Sequence, residues 1–152
     1  MTGDATRTRR LQQELFLQEL VTAVYRVYAE RIDDAGGRGI LEDYLRRESQ
    51  RRRQLQGIGP RPPGAAARVG ALFAAAGRLY GRVSALLGTR VMLRIVLSSS
   101  RRAARRACAE ADRARRSARP DRRQLALMRA RAEGDLCDAL ERHLIDTTRR
   151  GG

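Results

Sequence analysis

The chain has 152 residues, a length that suits one globular domain with a single hydrophobic core. Aromatic residues are scarce and tryptophan is absent, so the composition favours helices packed through aliphatic and alanine side chains over a β-sheet. All 32 Lys/Arg positions hold arginine, and the net charge of +15 implies attraction to nucleic acid, anionic lipid or acidic protein, although GC-rich codon bias explains part of the arginine excess.

Apolar periodicity predicts two helices in the first part of the chain. The first is predicted over residues 8–34, and Gly36-Gly37 is expected to end it. The second is predicted over 38–56, with Leu41 and Tyr44 on its inner face. Because the turn between the two helices is short, we expect them to pack antiparallel.

A proline- and glycine-rich break at 57–64 precedes a third helix, predicted over 65–87. Small residues recur along one face of this helix, and they include Gly70, Ala74, Gly77, Gly81, Ala85 and Gly88. Such a face allows another helix backbone to approach closely. Two alternatives remain open: ordinary packing on the bundle, and a membrane-surface helix whose Arg78 and Arg82 meet lipid headgroups.

The rest of the chain is predicted to form two longer helices, over 89–118 and 121–148. Pro120 is expected to open the last one, with Asp121 and Gln124 at capping-box spacing. Its predicted inner stripe comprises Leu125, Met128, Leu136, Leu140 and Leu144.

Targeting features and cysteines favour a cytoplasmic protein. The N-terminal residues lack a signal-peptide pattern, and the most apolar stretch, 69–97, is interrupted by arginines, so it is no ordinary membrane span. Cys108 and Cys137 form no Cys-x-x-Cys pair, and two free thiols are expected. Peripheral contact with the inner face of the membrane is compatible with these features.

Charged residues fall on the inner face of the second predicted helix. Position 48 and position 51 or 52 continue the stripe of Leu41 and Tyr44, which places Glu48 and an arginine inward. A charge on a core face costs several kcal/mol unless it is paired. The sequence therefore predicts a core ion pair between Glu48 and Arg51.

The order of these elements resembles the ferritin-like superfamily, and within it the demethoxyubiquinone monooxygenase family. The segments that carry the resemblance are AVYRVY, LRRESQRRRQL, AGRLYGRVSALLGTRVMLR and MRARAEGDLCDAL, within residues 11–148. The resemblance implies an all-α fold: an antiparallel four-helix bundle with one inserted, glycine-striped helix. It also implies a carboxylate-bridged di-iron centre that hydroxylates a quinone at membrane surfaces.

Most of the iron ligands that the resemblance implies are replaced. Glu48 stands at the Glu position of the second-helix Glu-x-x-His motif, and Arg51 stands at its His position. The first-helix ligand falls at Val21, near Glu19, and the fourth-helix ligand falls at about Ser100. The last-helix motif is reduced to Asp135-Leu-Cys-Asp138, with Glu133 close by.

The single histidine, His143, supports the same conclusion, because the common bundle site needs two Glu-x-x-His pairs. His143 itself is expected on the surface, near the end of the last helix. We therefore expect no metal and no cofactor. The alternative is a weak iron site built from the residual carboxylates, which are Glu19, Glu48, Glu133, Asp135 and Asp138.

These observations favour a non-catalytic binding, accessory or scaffold protein with no catalytic residues. It is expected to contact a protein partner or its own copy, or an anionic membrane through the third helix. The first alternative is a metal-dependent oxidoreductase or iron-binding protein. The second is an arginine-rich nucleic-acid-binding protein, although few aromatics are present for base stacking and solvated helix faces explain the arginine runs more simply.

Overall fold

The computed structural model describes the backbone of residues 2–56, 64–116 and 120–150, and the side chains of 16–53, 68–116, 120 and 122–150. These residues are helical apart from short turns, and no strand occurs among them, which confirms the all-α class. The helices are α1 (Thr2–Arg31), α2 (Ala35–Gln56), α3 (Gly64–Ala85), α4 (Thr89–Arg116) and α5 (Pro120–Arg150).

The hydrophobic core lies among α1, α2, α4 and α5. Its largest fully buried apolar side chains are Tyr28, Ile32, Leu41, Met92, Leu93, Val96 and Leu140. Among the described residues, α3 adds to this core only the partly buried Ala85 at its C-terminal end. Four helices, α1, α2, α4 and α5, therefore enclose the core, and α3 lies outside it.

Packing is most extensive between α1 and α3, and between α4 and α5. Gly77 and Gly81 allow the close approach of α3, because a Cβ at Gly77 would overlap the Leu20 carbonyl oxygen and one at Gly81 would lie 3.0 Å from Val27 Cβ. The aromatic rings of Phe16 and Phe73 stack at a centroid distance of 5.4 Å. The small-residue face of α3 thus packs against α1, whereas Gly70 has open space around it.

The turn between α1 and α2 differs from the prediction. Gly36 and Gly37 do not end α1, which stops at Arg31; they lie in the first turn of α2. The Asp34 carboxylate accepts a hydrogen bond of 2.9 Å from the Gly37 backbone N–H, and such side-chain capping satisfies an otherwise unpaired donor at a helix start. Gly37 also packs under Leu93, where a Cβ would lie 3.1 Å from that side chain.

Other predicted boundaries need smaller corrections. The first helix begins at Thr2 and not at residue 8; the sequence does not predict this start because its first residues, TGDATR, carry no apolar stripe. The third helix ends at Ala85, so Gly88 lies in the following turn, with a φ of 91° that favours glycine. Residues 57–63, most of the predicted break, lie outside the described residues, as does the side chain of the proposed cap Asp121.

The first half of α5 turns a different side towards the core from the one that the sequence predicts. Leu125 and Met128 are exposed, and Ala126 is buried in their place. The facing part of α4 buries small residues, Ala107, Ala111 and Ala114, so the two helices meet through alanines there. Leu136 and Leu140 lie in the core as predicted, and Leu144 is partly buried.

Candidate functional site

Polar side chains gather where α1, α2, α4 and α5 meet, at one end of the aliphatic core. We call this group the central polar cluster. Its members are Gln18, Glu19, Thr22, Tyr25, Tyr44, Glu48, Arg51, Arg52, Ser100 and Glu133. It includes Glu48 and Ser100, two of the positions at which the resemblance implies iron ligands.

Glu48 is only 5% exposed and is surrounded by donors. Arg51 Nη2 lies 2.9 Å from Glu48 Oε2, and Arg52 Nε lies 3.6 Å from Glu48 Oε1. The Gln18 side-chain amide also donates a hydrogen bond to Oε1. Both carboxylate oxygens therefore have donors, two of them from guanidinium groups one helical turn further along α2.

Arg52 extends this pairing to α1. Its Nη1 lies 2.6 Å from Glu19 Oε1, and its Nη2 donates a hydrogen bond of 3.1 Å to Thr22 Oγ1. One guanidinium thus binds carboxylates from two helices, Glu19 on α1 and Glu48 on α2. The planar fork of arginine makes such a bridge possible.

The other side of the cluster is built on tyrosines. Tyr44 donates a hydrogen bond of 2.8 Å to Glu133 Oε1, and the Tyr25 hydroxyl lies 3.2 Å from Ser100 Oγ. Burial raises the pKa of Tyr25 to about 12, so it stays a neutral donor. Burial also raises the pKa of Glu133, with a smaller contribution in the same direction from the nearby Glu48 charge.

The donor set does not fit the di-iron centre that the resemblance implies. Glu48 is bound by two arginines, and the positions of the other implied ligands hold Val21 and Ser100, which carry no carboxylate or imidazole. Asp135 and Asp138 are exposed, at a groove between α2 and α5. Among the described side chains, no group of three or more His, Cys, Asp or Glu residues is arranged to hold a metal ion.

His143 is not the free surface residue that the sequence predicts. Its ring Nε2 pairs with Asp34 Oδ2 at the turn between α1 and α2, and it is half-buried there. A Cβ at Gly36 would lie within 3.0 Å of the ring. The glycine in the first turn of α2 therefore makes room for a side chain of α5.

A second candidate site is the outward side of α3, which carries large apolar side chains. We call it the α3 outer face; it comprises the exposed Leu72, Leu79, Tyr80 and Val83 of α3, together with the exposed Leu86 and Leu87 of the turn that follows it. Leu86 is 80% exposed and Leu72 is 69% exposed. The pattern reverses that of an ordinary surface helix, because small residues face the protein and large apolar residues face outward.

Arginines surround the α3 outer face. Arg78 and Arg82, one turn apart, are both exposed beside it, and Arg68 is exposed near the start of α3. Every charged side chain between Ser49 and Ala109 is an arginine. None of the described helices combines the length and the hydrophobicity that a membrane crossing requires.

Several members of the central polar cluster are not predicted from the sequence. The sequence pattern places Tyr25 and Tyr44 only in the apolar stripes of their helices, and it gives no reason to select Gln18 as a functional residue. The available signal is a phenol on the inner face of an otherwise aliphatic helix, because a buried tyrosine hydroxyl needs a hydrogen-bond partner. Cys108 is exposed and Cys137 is buried, and both are free thiols.

Comparisons with protein-family models, with curated proteins and with solved structures find no match to this chain.

Proposed function

We propose that this chain is a non-catalytic helical-bundle protein that binds an anionic membrane surface through α3, as an accessory or scaffold protein. The observation that carries the proposal is the α3 outer face, whose exposed apolar side chains are accompanied only by arginines. A helix with this arrangement lies in the plane of a bilayer interface, with its apolar side in the acyl region and its cations at the headgroups.

The energetics of the α3 outer face favour a lipid surface over water. Full burial of a leucine or valine side chain is worth roughly 1.5–3 kcal/mol, and immersion in an interface recovers part of that amount. Each arginine held near an anionic membrane surface adds about 1 kcal/mol. Several apolar side chains and two or three arginines together support reversible binding without a spanning helix.

The position of α3 outside the core agrees with such a role. The core is enclosed by α1, α2, α4 and α5, and α3 is attached to it through Gly77 and Gly81. A ferritin-like bundle with one inserted helix is the architecture that we propose for this arrangement. The bundle then acts as a rigid support that presents one apolar helix to the membrane.

The central polar cluster supports the non-catalytic part of the proposal. Glu48 and Glu19 are neutralised by arginines, so the protein itself supplies the positive charge that a metal ion would otherwise provide. The iron-binding alternative instead requires near-stoichiometric iron in protein purified from iron-supplemented cells, and that result would contradict the proposal.

Vesicle co-sedimentation tests the membrane role. The protein is expected to sediment with vesicles that contain phosphatidylglycerol and to remain in the supernatant with pure phosphatidylcholine. The variant L79Q/V83Q/L86Q is expected to lose about tenfold or more in partition, and R78Q/R82Q is expected to lose a similar amount at low salt. A matched control, L125Q/L127Q/I145Q, removes exposed apolar residues of α5 and should bind like the wild type.

Two outcomes would contradict the membrane proposal. One is equal binding to neutral and anionic vesicles by the wild type and by both α3 variants. The other is a concentration-dependent dimer, seen by sedimentation velocity without lipid, that L79Q/V83Q/L86Q abolishes while vesicle binding is absent. The second result would assign the α3 outer face to another copy of the chain.

A further inference from the structure

A cavity of about 310 Å³ opens beside the central polar cluster, among α1, α2, α4 and α5. Its volume falls within the range of small-molecule sites, which is about 300–1,000 Å³. Leu17, Val21 and Ala103 supply apolar wall, and Tyr25 and Tyr44 add aromatic surface. The cavity is separate from the α3 outer face, so the inference drawn from it does not depend on membrane binding.

Two residues that line the cavity, Glu133 and Arg129, each have one buried polar atom without a hydrogen bond among the described residues. Glu133 is 8% exposed, and its Oε2 makes no hydrogen bond, although Oε1 accepts one from Tyr44. One helical turn earlier on α5, Arg129 Nε is also buried without a hydrogen bond. A buried polar atom left unpaired costs roughly 1–3 kcal/mol, so two of them on neighbouring residues of one cavity need an explanation.

A hydroxyl group is the simplest complement to this pair. It donates one hydrogen bond and accepts others, so a single hydroxyl can donate to Glu133 Oε2 and accept from Arg129 Nε–H. A carboxylate in the same place would meet the Glu133 carboxylate, and an ammonium would meet the Arg129 guanidinium. The inner end therefore favours a neutral group with both hydrogen-bonding roles.

The α4 side of the cavity favours a negative charge. Arg102 and Arg106, one turn apart, line it and are exposed to solvent. Arg102 also donates hydrogen bonds of 3.3 Å to Ser98 O and Ser98 Oγ on its own helix, which fix its guanidinium. Glu110 is the acidic residue of α4 among the lining residues, and the arginines outnumber it. Paired guanidinium groups of this kind suit a carboxylate.

We propose that this cavity binds a small hydroxylated organic acid. Its carboxylate pairs with Arg102 and Arg106, its apolar body lies against Leu17 and Val21, and its hydroxyl reaches Glu133 and Arg129. The ligand satisfies the two buried polar atoms that the protein leaves unpaired. The bundle thus holds an organic anion beside the place where the ferritin-like resemblance implies iron.

Titration with three related probes tests the site. We expect 3-hydroxybenzoate to bind saturably to the full chain, detected by calorimetry and by shifts of backbone NMR signals around Glu133 and Arg102. Benzoate, which lacks the hydroxyl, and phenol, which lacks the carboxylate, should each bind about tenfold more weakly, because each lacks one of the two polar groups that the site binds, a loss of about 1.4 kcal/mol.

Variants of the exposed arginines that line the cavity distinguish binding at this site from general anion binding. R102Q/R106Q changes exposed side chains and is expected to weaken 3-hydroxybenzoate binding about tenfold without affecting folding. The control R115Q/R116Q removes the same charge from exposed positions of α4 that do not line the cavity, and it should bind like the wild type. E133L should remove the preference for 3-hydroxybenzoate over benzoate.

Three results would overturn the proposal. They are no saturable binding of any probe, which identifies a water-filled cavity only; equal binding of the three probes; and equal weakening by R102Q/R106Q and R115Q/R116Q. If E133L does not fold, the probe series on the wild type and the two arginine variants still decide the question. Loss of vesicle binding in the α3 variants leaves this test unaffected.

Discussion

Glu133 is held in surroundings that disfavour its charged form. Burial is the main cause of its raised pKa, and the Glu48 charge acts in the same direction. The hydrogen bond from Tyr44 and the positive charge of Arg129 act in the opposite direction. Because the pKa in the folded chain lies above that in the unfolded chain, this group favours folding most in acid, and the benefit is lost as the pH rises through the folded-state pKa.

Replacing Glu133 with glutamine should therefore stabilise the protein at neutral pH. The glutamine side chain would keep an oxygen that accepts from Tyr44 but would have no charge to desolvate, so E133Q is expected to raise the free energy of unfolding by about 1 kcal/mol near neutrality. The gain should shrink towards zero as the pH falls below the ordinary pKa of glutamate. Urea unfolding at a series of pH values measures both effects.

Glu48 provides the opposite control for this prediction. It is equally buried, but both of its carboxylate oxygens are paired with donors. E48Q should destabilise the protein at neutral pH, because it leaves Arg51 without its counter-charge and removes one of the two carboxylates that bind Arg52. Stabilisation by both substitutions, or a gain from E133Q that does not depend on pH, would refute the assignment of burial as the cause.

At the scale of an element, α3 is organised by the size of its residues. Its contact with α1 uses glycine, alanine and serine, and the Tyr28 hydroxyl lies 2.6 Å from Ser84 Oγ in that contact. Apart from Phe73, which stacks on Phe16 of α1, the large apolar side chains are left for the opposite face. The close approach of the two backbones and the exposed apolar stripe are therefore two results of one sequence pattern.

Alanine at Gly77 should weaken this contact, because its Cβ would overlap the Leu20 backbone, which cannot move without shifting a helix. We expect G77A to lower the free energy of unfolding by about 1–3 kcal/mol, as overpacking substitutions do. G70A is the matched control: nothing lies within 4 Å of its Cβ position, and it should stabilise the helix by about 0.5–1 kcal/mol. Thermal unfolding of both variants checks that the change in stability is negative for G77A and positive for G70A.

Periodicity along single helices was predictable from sequence, but the pairing of helices was not. The inward positions of Leu41 and Glu48 follow from a 3.6-residue repeat, and the structure places both in the interior. The predicted facing of α5 was wrong, because hydrophobicity alone points Leu125 inward while the alanines of α4 select Ala126 as their partner. The contact of His143 with Asp34 joins residues far apart in the chain, and a local pattern carries no information about it.

For the whole molecule, the net charge of +15 opposes folding through repulsion within the chain, and it also attracts anionic partners. This value already counts every acidic residue, so the ion pairs of arginine with Glu19, Glu48 and Glu141 do not lower it further. A compact chain with so large a net charge repels itself, and dissolved ions screen that repulsion over about 10 Å at 0.1 M salt.

Salt should therefore stabilise the free protein. We expect the midpoint of thermal unfolding to rise by several degrees between about 0.02 M and 0.3 M sodium chloride, because screening of the net repulsion outweighs the weakening of exposed ion pairs. Differential scanning calorimetry in a fixed buffer measures the change. A fall in the midpoint would mean that specific ion pairs dominate the electrostatics. Salt should at the same time weaken vesicle binding, so the two measurements are expected to move in opposite directions.

The pairing of α1 with α3 and of α4 with α5 has a consequence for the order of assembly on the ribosome. The first pair is complete once residue 85 has left the ribosome, yet the core that holds Tyr25 and Ile32 of α1 is completed only by residues of α4 and α5. Until those helices emerge, a nascent chain presents two apolar surfaces, this core side of α1 and the α3 outer face. A membrane near the site of synthesis would cover the second while the first waits for its partners. If α3 binds a membrane as proposed, early lipid contact would protect the chain during translation as well as locate the finished protein.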